Sequence, residues 1–368
     1  MSVDNDNFEL EPLELWFKEK CKNGNFLPSH SKAYFNQYLL IKSYLEKNVY
    51  PYIGAGTSAE DQGVYTDHSV DHFNSVIRYA GLLLGLDSTS ETPIEDQKIL
   101  LDPYEVYMVL TSILLHDAGN INGRRGHEKR PLKILLGLGN AVCSDRFEAR
   151  PIAAIAKVHG GKVINSSGEE DKDTIRNASL NDIDYYRGVK YRPKLIAALV
   201  RFSDEICEDR SRSARFMLDS GSLPEKSEIY HKYADSISSV SVDIPSKTIN
   251  IKFEITKSDV LIKFGKDDGK QYLVDEINAR LEKMFSELLY CKSFMYEVVN
   301  IVRIRAIVSI YDDHDDGSDE FEMNMLKNET FELTEKGYPS KAYSFKKNRP
   351  DWIGEEVKKE VEKIEVIK

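Results

Sequence analysis

The residues best suited to chemistry are a histidine and an aspartate that directly follow an apolar run. Leu114 and Leu115 lead into His116 and Asp117, so an apolar helix is predicted to end on this pair, before the glycine at 119. A carboxylate in such surroundings is costly unless it has a partner, and a metal ion is a partner that an imidazole can also bind. The sequence therefore predicts that His116 and Asp117 hold a metal.

Two other predicted helices carry residues that can join this pair. His68 and His72 stand four residues apart near the start of a helix predicted over Asp67–Leu86, so they share one face. Asp204 lies on the side of Val200 in an otherwise apolar helix, so its carboxylate is predicted to face inward. His72 and Asp204 are therefore candidate ligands, whereas a supporting role and a structural role stay open for His68.

The ordered set of His72, then His116-Asp117, then Asp204 on successive helices resembles the H…HD…D signature of the HD-domain phosphohydrolases. The resemblance covers about residues 61–215. It implies a mainly α, HD-type helical bundle that cleaves a phosphate ester or anhydride of a nucleotide with metal-activated water. The four residues would be the metal ligands. Two imidazoles and two carboxylates suit Mn²⁺, Mg²⁺, Fe²⁺, Co²⁺ or Ni²⁺.

The same resemblance points to two further histidines, His127 and His159. Each lies at the end of a predicted helix, and some HD enzymes use histidines there to hold a second metal or to act as catalytic acids. We expect His127 and His159 to belong to the site. A site with one metal ion and a site with two both stay open. The short step from His116 to His127 is similar to that of the deoxynucleoside triphosphate hydrolases, which makes a deoxynucleoside triphosphate the first substrate hypothesis.

Basic residues gather around the motif although the chain as a whole is acidic. Arg124 and Arg125 come between the pair and His127, and Arg210 follows Asp204. Guanidinium groups bind phosphates through two parallel hydrogen bonds. These three arginines are predicted to bind substrate phosphate; the alternative is a solvated basic surface.

Three rival functions stay open. One is a phosphodiesterase of a cyclic or linear nucleotide signal, and another is a nuclease acting on single strands. The nuclease is disfavoured because no basic stripe interleaved with aromatic residues is found. The third is a regulatory module that senses a nucleotide without turnover, which the complete ligand set disfavours.

The composition limits the partners and the compartment. A formal net charge of −11 makes duplex nucleic acid an improbable partner and leaves a nucleotide or another small phosphorylated substrate. The acidic N-terminus and the absence of a long apolar run lead us to expect a cytoplasmic protein without a membrane span. The four cysteines are widely spaced, which predicts reduced thiols.

Three regions are predicted from the patterning: a helical segment over 1–60, the HD domain over 61–238, and an α+β appendage over 239–368 that ends in a charged helix. The predicted helices span Lys32–Lys47, Asp67–Leu86, Tyr104–Leu115, His127–Leu138, Arg150–Val158, Arg192–Cys207 and Gln271–Ser293. A loop is predicted over Val163–Asn181. A role of the appendage in forming a homo-oligomer stays open.

Alternating apolar residues predict the strands of the appendage. Such runs occur around Val240, Ile251, Phe264 and Ile304, and the first three predict a small antiparallel meander. No role is assigned to His30, His231 or His314, nor to the glycines at 54 and 56 or the acidic stretch at 312–317.

Overall fold

The computed structural model describes residues 9–29, 33–53, 70–123, 125–139, 145–165, 167–267, 269–313, 324–335 and 343–364. These residues pack into two units. The first takes the described parts of Met1–Gln62, His68–Cys207 and Tyr290–Asn300, and the second takes those of Glu208–Leu289 and Ile301–Lys368. The regions predicted at 1–60, 61–238 and 239–368 stay a prediction. They are continuous along the sequence, whereas each packing unit combines segments that are separate in sequence.

The first unit is built almost entirely from helices. Its helices are α1 (Pro12–Asn23), α2 (Tyr34–Asn48), α3 (Val70–Leu83), α4 (Pro103–His116), α5 (Pro131–Gly137), α6 (Arg146–Lys157), α7 (Thr174–Asn177) and α8 (Pro193–Ile206). Two small antiparallel hairpins complete it: β1 (Val163–Ile164) with β2 (Glu170–Asp171), and β3 (Asp184–Tyr186) with β4 (Val189–Tyr191).

Helix α4 forms the centre of this unit. Each of its residues is buried, because α1, α2, α3, α6 and α8 all pack against it. Its start is well defined: Pro103 occupies the first turn, while Asp102 and Glu105 each accept a hydrogen bond from the other's backbone N–H. A helix that is apolar on all sides and ends inside the protein delivers its last residues to a buried position.

The second unit combines helices with a mixed sheet. Strands β5 (Ile237–Asp243), β6 (Thr248–Thr256), β9 (Arg303–Tyr311) and β10 (Met325–Thr334) lie in the order β10-β9-β6-β5. Strands β7 (Lys263–Lys266) and β8 (Gly269–Tyr272) form a separate hairpin. The helices are α9 (Arg215–Asp219), α10 (Glu228–Ser236), α11 (Lys257–Leu261), α12 (Leu273–Met295), whose last turns from Tyr290 belong to the first unit, α13 (Phe345–Asn348) and α14 (Gly354–Val361).

The mainly α fold with a smaller α+β part is confirmed, with several local corrections. The predicted antiparallel meander is confirmed for its first pair, β5 with β6. It is wrong for its third run, because β7 pairs with β8 and the other neighbour of β6 is β9, in parallel. Val260 lies in α11 and not in a strand. The predicted loop over Val163–Asn181 contains the β1–β2 hairpin and α7. The helix predicted over His127–Leu138 is a 3-10 turn (His127–Lys129) followed by α5.

Further findings concern the helices, one strand and the cysteines. Helix α1 and strand β10 were not predicted, and α6 begins at Arg146, so that Pro151 lies inside it. No disulfide joins the described cysteines, Cys21, Cys207 and Cys291; Cys143 lies outside the described residues. Among the described residues, every helix is too short or too polar to cross a bilayer.

A buried ion pair fastens α1 to α2. Glu14 and Lys42 are almost completely inaccessible, and their side chains meet at 2.8 Å. Tyr38 donates a second hydrogen bond to the same Glu14 carboxylate at 2.6 Å. A buried ion pair adds little net stability, but removing one partner leaves the other charge uncompensated.

Replacing Lys42 with methionine should therefore lower the free energy of unfolding by about 3–5 kcal/mol, because Glu14 would stay buried without its cation. Urea denaturation monitored by circular dichroism measures the change. Lys47→Met removes an exposed lysine from the same helix and should change the free energy of unfolding by no more than about 0.5 kcal/mol. Equal effects of the two substitutions would contradict the assigned role of the buried pair.

Candidate metal centre

The end of α4 places two consecutive side chains, His116 and Asp117, in one site. His116 is the last helical residue and is fully buried, while Asp117 leaves the helix with φ −107° and ψ 0°. This conformation lies outside the regular helix and lets both side chains converge. The sequence predicted the pair at a helix end, and the structure places it there.

His72 from α3 and Asp204 from α8 meet His116 in the first ligand group. The Oδ1 atom of Asp204 lies 3.4 Å from His72 Nε2 and 3.5 Å from His116 Nε2. His116 Nε2 lies 3.7 Å from Asp117 Oδ2. The structure thus brings together all four residues that were predicted as metal ligands.

These separations suit a shared ion better than direct hydrogen bonds. They exceed the usual length of a hydrogen bond, whereas two ligands that are each about 2.1 Å from one cation lie roughly 3–3.5 Å apart. His116 Nε2 is buried, and no hydrogen-bond partner for it exists among the described residues. His72, His116 and Asp117 each present one donor atom within 4.8 Å of the others. The donor set therefore fits a divalent cation.

The electrostatics of the group also favour a cation. Burial alone would lower the pKa of His116, but the carboxylates of Asp204 and Asp117 raise that pKa to about 9. Burial would raise the pKa of Asp204, yet His116 and His72 hold it well below its usual range. A carboxylate that stays ionised where water reaches it on one side only is stabilised by positive charge beside it, and a metal ion supplies such charge.

A second ligand group lies on the other side of Asp117. Asp117 Oδ1 is 3.0 Å from His127 Nε2 and 3.5 Å from His159 Nε2, and the two imidazole nitrogens are 3.3 Å apart. These three residues also satisfy the geometry of a metal site. Asp117 therefore directs one carboxylate oxygen to each group.

Backbone carbonyls orient two of the imidazoles. His116 Nδ1 donates to the carbonyl of Ile113 at 2.7 Å, and His159 Nδ1 donates to that of Ala156 at 2.6 Å. In both rings the Nε2 atom is left to face Asp117. Hydrogen bonds of this kind at the distal nitrogen orient histidine ligands in metal sites.

A glycine and an arginine bring His127 to Asp117. A Cβ on Gly119 would lie 2.3 Å from the carbonyl oxygen of His127, so only glycine permits this close approach of the two backbones. The guanidinium of Arg130 donates to the carbonyls of Gly119 at 2.7 Å, Gly123 at 2.6 Å and Arg125 at 3.1 Å. Arg130 thereby ties the turn after the HD pair to the turn that carries His127.

Comparison with known proteins gives one positive result. A family model described as HD-CE matches residues 63–283, which is more than half of the chain. The chain belongs to the HD-CE family. Comparisons with curated proteins and with solved structures found no match. Membership in HD-CE supports the expectation of an HD-type domain, and together with the clustered ligands it fits a metal-dependent hydrolase in general.

The structure describes two of the three arginines predicted to bind phosphate. Arg124 lies outside the described residues, and Arg125 is exposed on the turn before His127. Arg210 belongs to the second unit, where it donates to the carbonyl of Asp235 at 2.7 Å and lies 3.8 Å from Glu254. Phosphate binding by these three residues stays a prediction.

Other residues near the motif also have defined places. Arg201, three residues before Asp204, is buried and donates a hydrogen bond to the Thr174 hydroxyl at 2.6 Å. His68 lies outside the described residues. Glu128, to which the sequence drew no attention, places its carboxylate 3.7 Å from His127 Nδ1. Its position directly after His127 was the available signal.

Substituting alanine for Gly119 should displace His127, because the new Cβ would overlap the His127 carbonyl. Binding of Mn²⁺ to the second ligand group should weaken by about tenfold or more, as when a residue that supports metal ligands is lost. The first group should keep its affinity. Isothermal titration with Mn²⁺ measures both. Gly137→Ala adds a Cβ that meets nothing within 4 Å and should leave the titration unchanged. Identical curves for the two variants would refute the steric role of Gly119.

Proposed function

We propose that this chain is a metal-dependent phosphohydrolase that cleaves a phosphate ester or anhydride of a nucleotide. One observation carries the proposal: Asp117 is shared between two ligand groups, each with the geometry of a metal site. Such a centre suits displacement at phosphorus, where charge develops on several oxygens at once.

The proposed first site uses His72, His116, Asp117 and Asp204. This set suits Mn²⁺, Mg²⁺, Fe²⁺, Co²⁺ or Ni²⁺, and the second group offers a place for a further ion. A bound divalent cation supplies Lewis acidity toward a phosphoryl oxygen and lowers the pKa of a coordinated water. The side chain of Asp204 is 26% exposed, so the first group is open to solvent on one side.

His127 and His159 are assigned one of two roles. They hold the second ion with Asp117, or they hold and deliver protons at the phosphate. His127 is the more exposed of the two, with 18% of its side chain accessible against 6% for His159. The Glu128 carboxylate, 3.7 Å from His127 Nδ1, can orient the ring in either role.

The substrate is proposed to be a nucleotide, with deoxynucleoside triphosphates first. The support is the short chain segment between His116 and His127, together with positive charge on that segment. Arg125 and Lys129 are exposed there, and Lys133 is exposed one turn further on. Exposed cations beside a metal centre attract polyphosphates.

The decisive comparison is turnover by the wild-type chain and by the His116→Ala/Asp117→Ala variant. Each is incubated with Mn²⁺, Mg²⁺, Co²⁺ or Ni²⁺ and with ribo- and deoxynucleoside mono- and triphosphates, cyclic mono- and dinucleotides, or a short single strand. We expect deoxynucleoside triphosphates to be hydrolysed, and the rate to fall at least about a thousandfold in the double variant, because both ligand groups lose Asp117.

Asp71→Asn is the matched control. It removes an exposed carboxylate beside His72 without altering a ligand, so its rate should match the wild type. Turnover of a cyclic nucleotide or of the single strand alone would replace the substrate assignment while keeping the hydrolase. If metal and nucleotide bind but nothing is cleaved, the chain is a sensor of nucleotides and the proposal is wrong.

A further inference from the structure

The first unit contains a second concave surface, away from the ligand groups. It is an open groove of about 480 Å³, bordered by the start of α6 and by the β3–β4 hairpin. Its volume lies in the range of small-molecule sites. From Phe147 in the groove to Lys157, the last residue of α6, the helix rises by about 15 Å, and His159 lies two residues beyond its end. The groove is therefore separate from the metal centre.

The two sides of the groove are fastened together through Asp145. Its carboxylate accepts a hydrogen bond from the Tyr186 hydroxyl at 2.5 Å and another from Arg187 at 3.0 Å. It also caps α6 by accepting from the Phe147 backbone N–H at 2.8 Å. The ring of Tyr186 stacks on Tyr104, which is buried. The groove is thus a built surface with a fixed wall.

Two aromatic rings in the groove are nevertheless left open to solvent. Phe147 is 76% exposed and Tyr185 is 64% exposed. The exposure of Tyr185 follows from the hairpin: successive strand residues point to opposite sides, so when Tyr186 packs inward, Tyr185 points outward. The turn at Arg187-Gly188 has positive φ at both residues, which suits a two-residue hairpin connection and fixes this register.

The polar groups of the groove include both an acceptor and a donor. Asp184 contributes a carboxylate, and Arg187 contributes a guanidinium that uses one terminal nitrogen on Asp145. A ligand that matches these walls has a flat ring for the aromatic faces and carries both N–H donors and lone-pair acceptors on its edge. Nucleobases have this combination, and proteins bind them by stacking on aromatic side chains with polar contacts to the edge.

We propose that this groove is a second ligand site that binds the base of a nucleoside or nucleotide, with Phe147 and Tyr185 as the stacking surfaces. Asp184 accepts hydrogen bonds from the base edge, and Arg187 donates to it. The inference goes beyond the proposed hydrolase and does not depend on it, because none of the groove residues is a metal ligand.

Nucleosides are the suitable probes, since they lack the phosphates that a metal centre would attract. Adenosine, guanosine, cytidine, uridine and their deoxy forms would be titrated into the full chain, with binding followed by saturation-transfer NMR and by calorimetry. The wild type and the His116→Ala/Asp117→Ala variant should bind the same nucleoside with equal affinity. Phe147→Ala and Tyr185→Ala should each weaken binding by about tenfold or more, as expected when a stacked ring is removed.

Tyr296→Ala is the matched control, because Tyr296 is 57% exposed in the same unit and lies outside the groove. It should leave the affinity unchanged. All three aromatic substitutions affect exposed rings, so their melting temperatures should equal that of the wild type.

Four results would overturn the proposal. The first is no binding of any nucleoside, and the second is binding that persists when Phe147 and Tyr185 are both alanine. In the third, the chain self-associates in sedimentation experiments and the Phe147→Ala variant does not, which would assign the rings to an interface between copies. Loss of nucleoside binding in the His116→Ala/Asp117→Ala variant alone would also contradict a separate site. Hydrolysis by the metal centre is measured independently, so its failure would leave the groove result intact.

Discussion

The site depends on a carboxylate that a buried helix delivers into the interior. Asp117 follows α4, a helix without an exposed side, so bulk water reaches little of its carboxylate. An ionised group in such a place needs positive charge or several hydrogen bonds. The imidazoles of His72, His116, His127 and His159 lie around the Asp117 and Asp204 carboxylates and provide these partners. The arrangement of α3, α4, α6 and α8 is therefore also an arrangement of ligands.

The sequence was most informative where chemistry and local structure coincide. His116 and Asp117 are adjacent and end an apolar run, so their position needs only the length of one helix. Asp204 was placed by the period of α8, whose apolar face is continuous. His127 and His159 were named from a resemblance, and the structure places both beside Asp117. In each case the position of the residue could be predicted from one helix alone, or from the order of helices in the family it resembles.

The sequence was least informative where backbone groups from separate turns meet. Arg130 reads as one more cation in a basic stretch, because its three carbonyl partners become neighbours only after the turn folds. Val260 continued an alternating pattern, yet Thr256 caps a helical turn there by accepting from a backbone N–H. Tertiary pairing and capping decided these positions against the local pattern.

The orientation of the histidines at the ends of α4 and α6 has a consequence for how the centre is prepared. In His116 and in His159 the Nδ1 acceptor is the carbonyl three residues earlier, which is that of Ile113 in α4 and of Ala156 in α6. A carbonyl can only accept, so each neutral ring is held in the Nδ1–H tautomer and its flip is blocked. In each case the helix that supplies the carbonyl therefore determines that Nε2, and not Nδ1, is available to a metal. A histidine that rotates freely loses this freedom when it binds a metal. His116 and His159 have already lost it in the folded chain, so the entropic cost of ordering them belongs to folding and not to metal binding.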